Sequence, residues 1–193
     1  MDTKVREFFR ERYKITGEEA LSEMEKLTEF VEMKRGDILM AQGEIPKKVF
    51  FQIDGIIRGL FVDEDGRDHT ECFTWQYDLP AMPSGDFGSP SPLMMEALTE
   101  CTLYAIPIEP LFGLLHHNEE LMETYHRLMI ESMELHYRIK RIFYQYDGKQ
   151  RYEWFEKTFP NILEKVNLRY IASFLNMTPE TLSRVRKELK REA

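Results

Sequence analysis

Leu168-Arg-Tyr-Ile-Ala-Ser-Phe-Leu-Asn-Met-Thr-Pro-Glu-Thr-Leu-Ser-Arg-Val-Arg-Lys187 carries two short helical patterns that meet at a tight turn. Asn167 stands where the first helix needs an N-cap, and Leu168, Ile171 and Leu175 repeat on its buried face. Ala172 is small where a second helix must cross closely, and Asn176 tolerates the left-handed conformation that the turn requires. Thr178 then caps the second helix with Pro179 at its first helical position, while Leu182 and Val185 point back at the first helix. Glu180, Thr181, Ser183, Arg184 and Lys187 are left facing outward, as a helix that enters a DNA major groove needs. Any helical hairpin shares one or two of these features. The complete set predicts a helix-turn-helix.

The charge distribution agrees. Between Lys165 and Ala193 seven basic residues stand against three acidic ones, so this end is at +4 in a chain of net charge −8, and the preceding 164 residues carry −12. A basic module on an acidic body suits a protein that touches phosphates with one end and does not coat nucleic acid. The length, 193 residues, accommodates a sensor of roughly 110 to 120 residues plus a small helical module. No apolar run approaches the roughly 20 residues needed to span a bilayer, and Met1 to Arg12 lacks the apolar core of a signal peptide, so a cytoplasmic protein is expected. Cys72 and Cys101 read as buried free thiols; two cysteines cannot supply the four ligands of an iron–sulfur cluster or a structural zinc site.

Upstream, Thr16-Gly-Glu-Glu19 has the form of a capping box and opens a short amphipathic helix through Leu21, Met24 and Leu27. Val31 to Ile108 is a series of short β-branched and aromatic runs, among them Val49 to Ile53, Ile56 to Val62 and Thr102 to Ile106. Asp54-Gly55 between two of these predicts a hairpin, and Asp65-Gly66 marks a further turn. Closely spaced strands imply a barrel or jelly roll. From Asn118 to Tyr146 neither Gly nor Pro occurs over 29 residues, about 43 Å of helix. Tyr125, Ser132, Ile139 and Tyr146 recur every seven residues, and so do Leu121, Leu128, Leu135 and Ile142; a single buried helix gives the same pattern, but over this length the two rows predict the seam of a homodimer, with Met122, Met129, His136 and Phe143 as a flanking row that widens the stripe toward the chain's own β domain. Asp147-Gly148 ends that helix.

Ile171-Ala172-Ser173 and Thr178 to Arg184 resemble the DNA-reading motif of the catabolite activator and fumarate–nitrate regulator (CRP/FNR) family, with its Glu-x-x-Ser-Arg core present as Glu180, Ser183 and Arg184. The resemblance runs over nearly the whole chain, since Gly36-Asp37, Gly43 and Asp54-Gly55 fall where the family has its β-roll turns. It implies an α+β fold: a cyclic-nucleotide-binding-like β-roll over residues 1–117, a dimerisation helix over 118–146 and a helix-turn-helix over 147–193, with no β-wing evident before Ala193. Implied partners are double-stranded DNA carrying an inverted repeat, a second copy of the chain, RNA polymerase and an unidentified small-molecule effector, but no membrane. In chemical terms Arg184 can pair bidentately with guanine O6 and N7, Glu180 can accept from a cytosine amine, and Ser183 is a shorter contact. Arg169, Thr181, Arg186 and Lys187 suit phosphates, which position the module without reading sequence. Many relatives carry a basic residue where Pro179 stands, so one contact of the family is missing here.

Gly85-Asp86-Phe87-Gly88 resembles the opening of the family's cyclic-nucleotide cassette, but Ser89 follows where Glu is expected and Ser91 occupies the region of the phosphate-binding Arg. Lys and Arg are absent between Arg67 and Arg127, which leaves only Arg67 or Arg58 for a buried phosphate. Gly85, Phe87, Gly88, Ser89 and Ser91 therefore read as a degenerate effector pocket, and a conventional cAMP site is not expected. Trp75, Tyr77, Phe73, Phe87, Met82, Met94 and Met95 suit either an apolar pocket or a core. His69 is the single histidine of the β region, too few for a cupin-like metal centre, so no metal, no cofactor and no enzymatic activity are expected. The competing reading is a β-roll that regulates a protein partner, as the same module does for kinases and channels.

Overall fold

The computed structural model describes residues 3–74 and 88–192. Two helices open it, α1 (Thr3–Tyr13) and α2 (Glu18–Leu27), and the first was not expected from sequence. Its apolar residues Val5, Phe9 and Tyr13 are spaced four apart, but charges crowd between them. Phe9 is fully buried edge-on to Phe51 at 5.0 Å, which makes α1 part of a core.

The capping box expected at Thr16–Glu19 does not form. The N-cap of α2 is Gly17 and makes no side-chain cap. Glu120, a hundred residues away in sequence, does this work: its Oε1 accepts from the Thr16 amide (2.6 Å) and hydroxyl (2.7 Å), and its Oε2 accepts from the Gly17 amide at 2.8 Å. These bonds, the Thr16 amide first, hold the Glu120 carboxyl below its ordinary range. Glu120→Ala is therefore expected to cost about 1 kcal/mol at neutral pH. Because the folded-state pKa is the lowered one, that contribution is complete above the ordinary glutamate pKa and fades as pH falls through the folded value. Urea unfolding of both proteins at neutral and acid pH checks this, since an equal difference at the two would remove the carboxylate as its source.

Among the described residues seven strands follow: β1 (Glu29–Met33), β2 (Ile38–Met40), β3 (Lys48–Asp54), β4 (Ile57–Val62), β5 (Asp68–Thr74), β6 (Met94–Ala97) and β7 (Cys101–Pro107). They form two antiparallel sheets, ordered β1-β7-β3 and β2-β6-β4-β5. The hairpin expected at Asp54-Gly55 is thus not one, because β3 and β4 enter different sheets. Gly55 (φ +98°) carries the chain across instead, so tightly that a Cβ would stand 2.5 Å from the Glu100 carbonyl oxygen and from Cys101 Sγ. Asp65-Gly66 does lie at a hairpin, between the paired strands β4 and β5. Between the sheets lie Met33, Met40, Ile57, Met95, Ala97, Cys101 and Leu103. Cys72 and Cys101 are not joined in a disulfide; Cys101 is buried as expected, whereas Cys72 is only half-buried.

On the other side of the three-stranded sheet, α1, α2, α3 (Ile108–His117) and the start of α4 (Glu119–Gln145) share a second core through Phe9, Leu21, Ile106, Leu111 and Leu121. Asn118 caps α4 by accepting from the Leu121 amide. The remaining helices are α5 (Gly148–Thr158), α6 (Pro160–Lys165), α7 (Leu168–Phe174) and α8 (Pro179–Glu192). Asp147 and Gln150 form a true capping box for α5. A third core joins α5 to α8 through Phe155, Ile162, Ile171, Phe174 and Leu182, and it also takes in Ile56, Phe73 and Leu98 of the β-roll. None of the helices among the described residues is long and apolar enough to cross a membrane.

Of the residues expected to form a dimer seam, five are packed inside the subunit. Leu121 and Ile142 are buried, Tyr125 and Leu128 pack on the core of α1 to α3, and Ile139 packs on that of the C-terminal helices. Ser132 and Leu135 lie on the stretch between the two cores, and Leu135 is exposed. Apart from Leu135, the large apolar side chains of α4 that remain exposed lie on the opposite face: Ile130 (57% exposed), Met133 (54%), Tyr137 (63%) and Tyr144 (79%). Their steps of three, four and seven residues are those of a coiled-coil seam.

Candidate nucleic-acid interface

Local chemistry builds α7 and α8 as the sequence predicts. Asn167 caps α7 by accepting from the Arg169 amide at 3.0 Å. Asn176 takes φ +52° in the turn, and the Met177 amide returns to the Ala172 carbonyl at 2.9 Å. Thr178 Oγ1 accepts from the Thr181 amide at 3.2 Å and so caps α8. Ala172, Leu175 and Leu182 are buried where the helices cross.

That packing leaves Glu180, Ser183, Arg184 and Lys187 exposed together on one face of α8. Arg184 is held loosely, its Nη2 donating to Thr181 Oγ1 at 3.4 Å, so it is free to extend. The Glu180 carboxyl lies below its ordinary range, chiefly through its own backbone amide and then the Thr178 hydroxyl. It therefore stays ionised and acceptor-only at neutral pH, the state in which it can receive an amine hydrogen. The four phosphate candidates are not placed alike. Lys187 is exposed and Thr181 half-buried. Arg186 turns inward, with Nε donating to Tyr152 Oη at 3.2 Å. Arg169 lies over the neighbouring Tyr170 ring and donates to its hydroxyl at 2.5 Å.

Of the residues expected to line an effector pocket, Gly85 and Phe87 lie outside the described residues, as do Trp75, Tyr77 and Met82. Gly88 is exposed and Ser89 half-buried. Ser91 is buried and committed to backbone, its hydroxyl donating to the Leu93 carbonyl at 2.8 Å and accepting from the Leu93 amide. Arg58 is ion-paired with Asp68 (2.9 Å) and Glu96 (3.0 Å), and Arg67 with Asp65 (3.3 Å). Neither guanidinium is held toward the interior of the roll in a way that leaves it for a phosphate. Phe73 belongs to the C-terminal core and Met95 to the roll's interior. Among the described residues, no cluster of His, Cys, Asp and Glu could hold a metal ion.

No protein-family model and no curated protein sequence matches this chain. Solved structures do. FixK2 from Bradyrhizobium japonicum superposes with a TM-score of 0.75 over 86% of this chain and 85% of its own, at 15% identity. A transcriptional regulator of the crp/fnr family from Eubacterium rectale gives 0.71 over 92% and 85%, at 16% identity. The c-di-GMP-responsive global regulator CLP of Xanthomonas campestris gives 0.69 over 91% and 93%, at 13% identity. The architecture of mixed helices and antiparallel sheets ending in a helix-turn-helix is the fold of CRP/FNR regulators.

Proposed function

We propose that this chain, with the fold of the CRP/FNR regulators, is a homodimeric, sequence-specific DNA-binding transcription regulator. The observation that carries the reading is the exposed row Glu180, Ser183, Arg184 and Lys187 on a capped α8 whose opposite face is locked onto α7. Glu180, Ser183 and Arg184 read base edges, while Lys187, Thr181 and Arg169 hold phosphates. Arg186 has its first partner in Tyr152 and contributes charge from the side. Residues 1–117 act as the sensor, 118–146 as the dimer helix and 147–193 as the DNA-binding module, in the cytoplasm. The partner copy covers Ile130, Met133, Tyr137 and Tyr144, because a free row of four large side chains at coiled-coil spacing is a costly surface to leave in water. Two-fold symmetry then places one α8 on each half of an inverted repeat, with half-sites about 34 Å apart.

Selection from a pool of random duplexes tests this, with an enriched palindrome as the expected result. Binding without sequence preference over competitor DNA would favour a β-roll that regulates a protein partner.

The effector is a molecule other than cAMP. A cyclic phosphate buried in the roll needs a cation, and Arg58 and Arg67 are engaged with carboxylates while Ser91 is bound to backbone. Calorimetric titration with cAMP is expected to give no saturable heat. A micromolar Kd would overturn the argument from the missing cation.

A further inference from the structure

The C-terminal helices meet the β-roll through the core that takes in Ile56, Phe73 and Leu98 and, along α7, through a strip of directed contacts. Helix α7 lies along the outer face of β5, and three successive features of its contacting face meet the sheet. The ring of Tyr170 lies 3.9 Å beneath the guanidinium of Arg58, from β4. One turn on, Ser173 Oγ accepts the Thr70 amide of β5 at 2.9 Å. Next to it, Phe174 packs on Phe73 with ring centroids 5.5 Å apart. Beyond the strip the two parts separate. A cleft of about 550 Å³ runs between Arg67–His69 on one wall and Asn176–Pro179 on the other, so the turn and the start of α8 stand clear of the sheet.

Arg58 is an unusual residue to find at such a junction. Its side chain is only 4% exposed, it is clamped by Asp68 of β5 and Glu96 of β6, its Nη1 reaches Thr70 Oγ1 at 3.4 Å, and its buried Nε has no hydrogen-bond partner. A buried ion pair of this kind is seldom a source of net stability, since apolar residues of like volume commonly do as well. What it supplies is a flat cation held rigidly by three strands, a surface on which an aromatic ring stacks at a defined distance.

We propose that Arg58 is a positioning residue, which by stacking on Tyr170 sets the placement of α8 relative to the dimer helix and so the spacing of DNA half-sites the protein accepts. The proposal rests on the DNA-binding reading above. The covalent connection from α4 to α5 is Tyr146-Asp147, and α4 also touches the C-terminal core through Ile139 and through Phe143, whose ring stands 6.2 Å from that of Phe174; these apolar contacts hold α7 near the dimer helix without fixing its angle. The β-roll, by contrast, is fixed to α4 through Leu121, Tyr125 and Leu128. With α7 docked on β5, the path from dimer seam to roll, to α7 and to α8 is one rigid body, and the two α8 helices of a dimer have a single separation. With the stack removed, α5 to α8 tilt on these non-directional apolar contacts, and each α8 still reads its half-site while the separation varies.

The test is a binding selection on inverted repeats whose spacer length is varied, using the full chain. Wild type is expected to enrich one spacer. Tyr170→Ala should enrich the same half-site sequence over several spacers and lose about tenfold in affinity at the wild-type site. Tyr170→Phe, which keeps the ring and loses only the hydroxyl, should retain the single spacer. Arg58→Met, close in volume but uncharged, should behave as Tyr170→Ala does. Hydrogen exchange at the Thr70 amide reports docking without DNA, and it is expected to speed up in Tyr170→Ala and not in Tyr170→Phe. If Tyr170→Ala exposes the Thr70 amide yet keeps the single spacer, docking does not position α8 and the proposal is overturned even should Arg58→Met fail to fold. A wild type that enriches no half-site at all would instead remove the DNA reading, and this proposal with it.

Discussion

Tyr137→Glu is expected to turn a dimer into a monomer in light scattering, while Leu135→Glu is expected to leave the dimer intact. The two positions are two residues apart on the same helix, but the structure separates them. Tyr137 belongs to the uncovered row with Ile130, Met133 and Tyr144, whereas Leu135 lies toward the side of Leu121, Leu128 and Ile142, which serve the chain's own cores. Burying a carboxylate without a partner costs several kcal/mol even after relaxation, and a two-fold axis buries two of them. Dimer affinity should then fall by about a thousandfold or more, enough to leave monomers at micromolar concentration. DNA binding should weaken in parallel, because a monomer reads one half-site. The opposite outcome, monomers from Leu135→Glu and dimers from Tyr137→Glu, would mean that the heptad rows legible in the sequence are the true seam and that the row on the other face has a different purpose.

Arg184→Ala and Lys187→Ala are expected to differ in kind. Arg184 is exposed on α8, held by no more than a 3.4 Å bond to Thr181, and its guanidinium fork suits a guanine edge. Its removal should cost ~1–3 kcal/mol per half-site, hence ~2–6 kcal/mol for a dimer, and should relax base preference at one position of each half. Lys187 is a point charge two-thirds of the way along the same exposed face. Its removal should weaken all sequences alike and reduce the salt dependence of binding by roughly one ion per subunit. A randomised-site selection that returned the wild-type logo for Arg184→Ala would show that another residue reads the base.

The helix-turn-helix was legible because everything that shapes it is local. Caps at Asn167 and Thr178, proline at the first turn of α8, a left-handed Asn176 and apolar residues three and four apart act within a few residues of themselves, and each holds in the structure. Strand positions such as Val49 to Ile53 and Thr102 to Ile106 were legible for the same reason, from β-branched and aromatic runs. The misread features share a different cause. Thr16 has the right neighbours for a capping box, but Glu120 takes the Thr16 amide that Glu19 would have bound. Asp54-Gly55 has the right residues for a hairpin, but the contact of Gly55 with Glu100 and Cys101 sends the chain into the other sheet. Helices α1, α5 and α6 went unread because charged residues interrupt apolar patterns that only the assembled cores complete.

Taken alone, then, the amino-acid sequence determined the kinds of element, the exposed face of α8 and the existence of a long helix with more apolar surface than one partner can cover. These follow from short-range sterics, capping and periodicity, which do not depend on what the rest of the chain does. The tertiary structure decided which face of α4 is spent inside the subunit and which is left exposed, where Arg58 finds its carboxylates, and that Tyr170 stacks on it to tie the C-terminal helices to the sheet. Periodicity states that a row is apolar but not what it faces, and a buried arginine is recognisable as such only once three strands and a helix have closed around it.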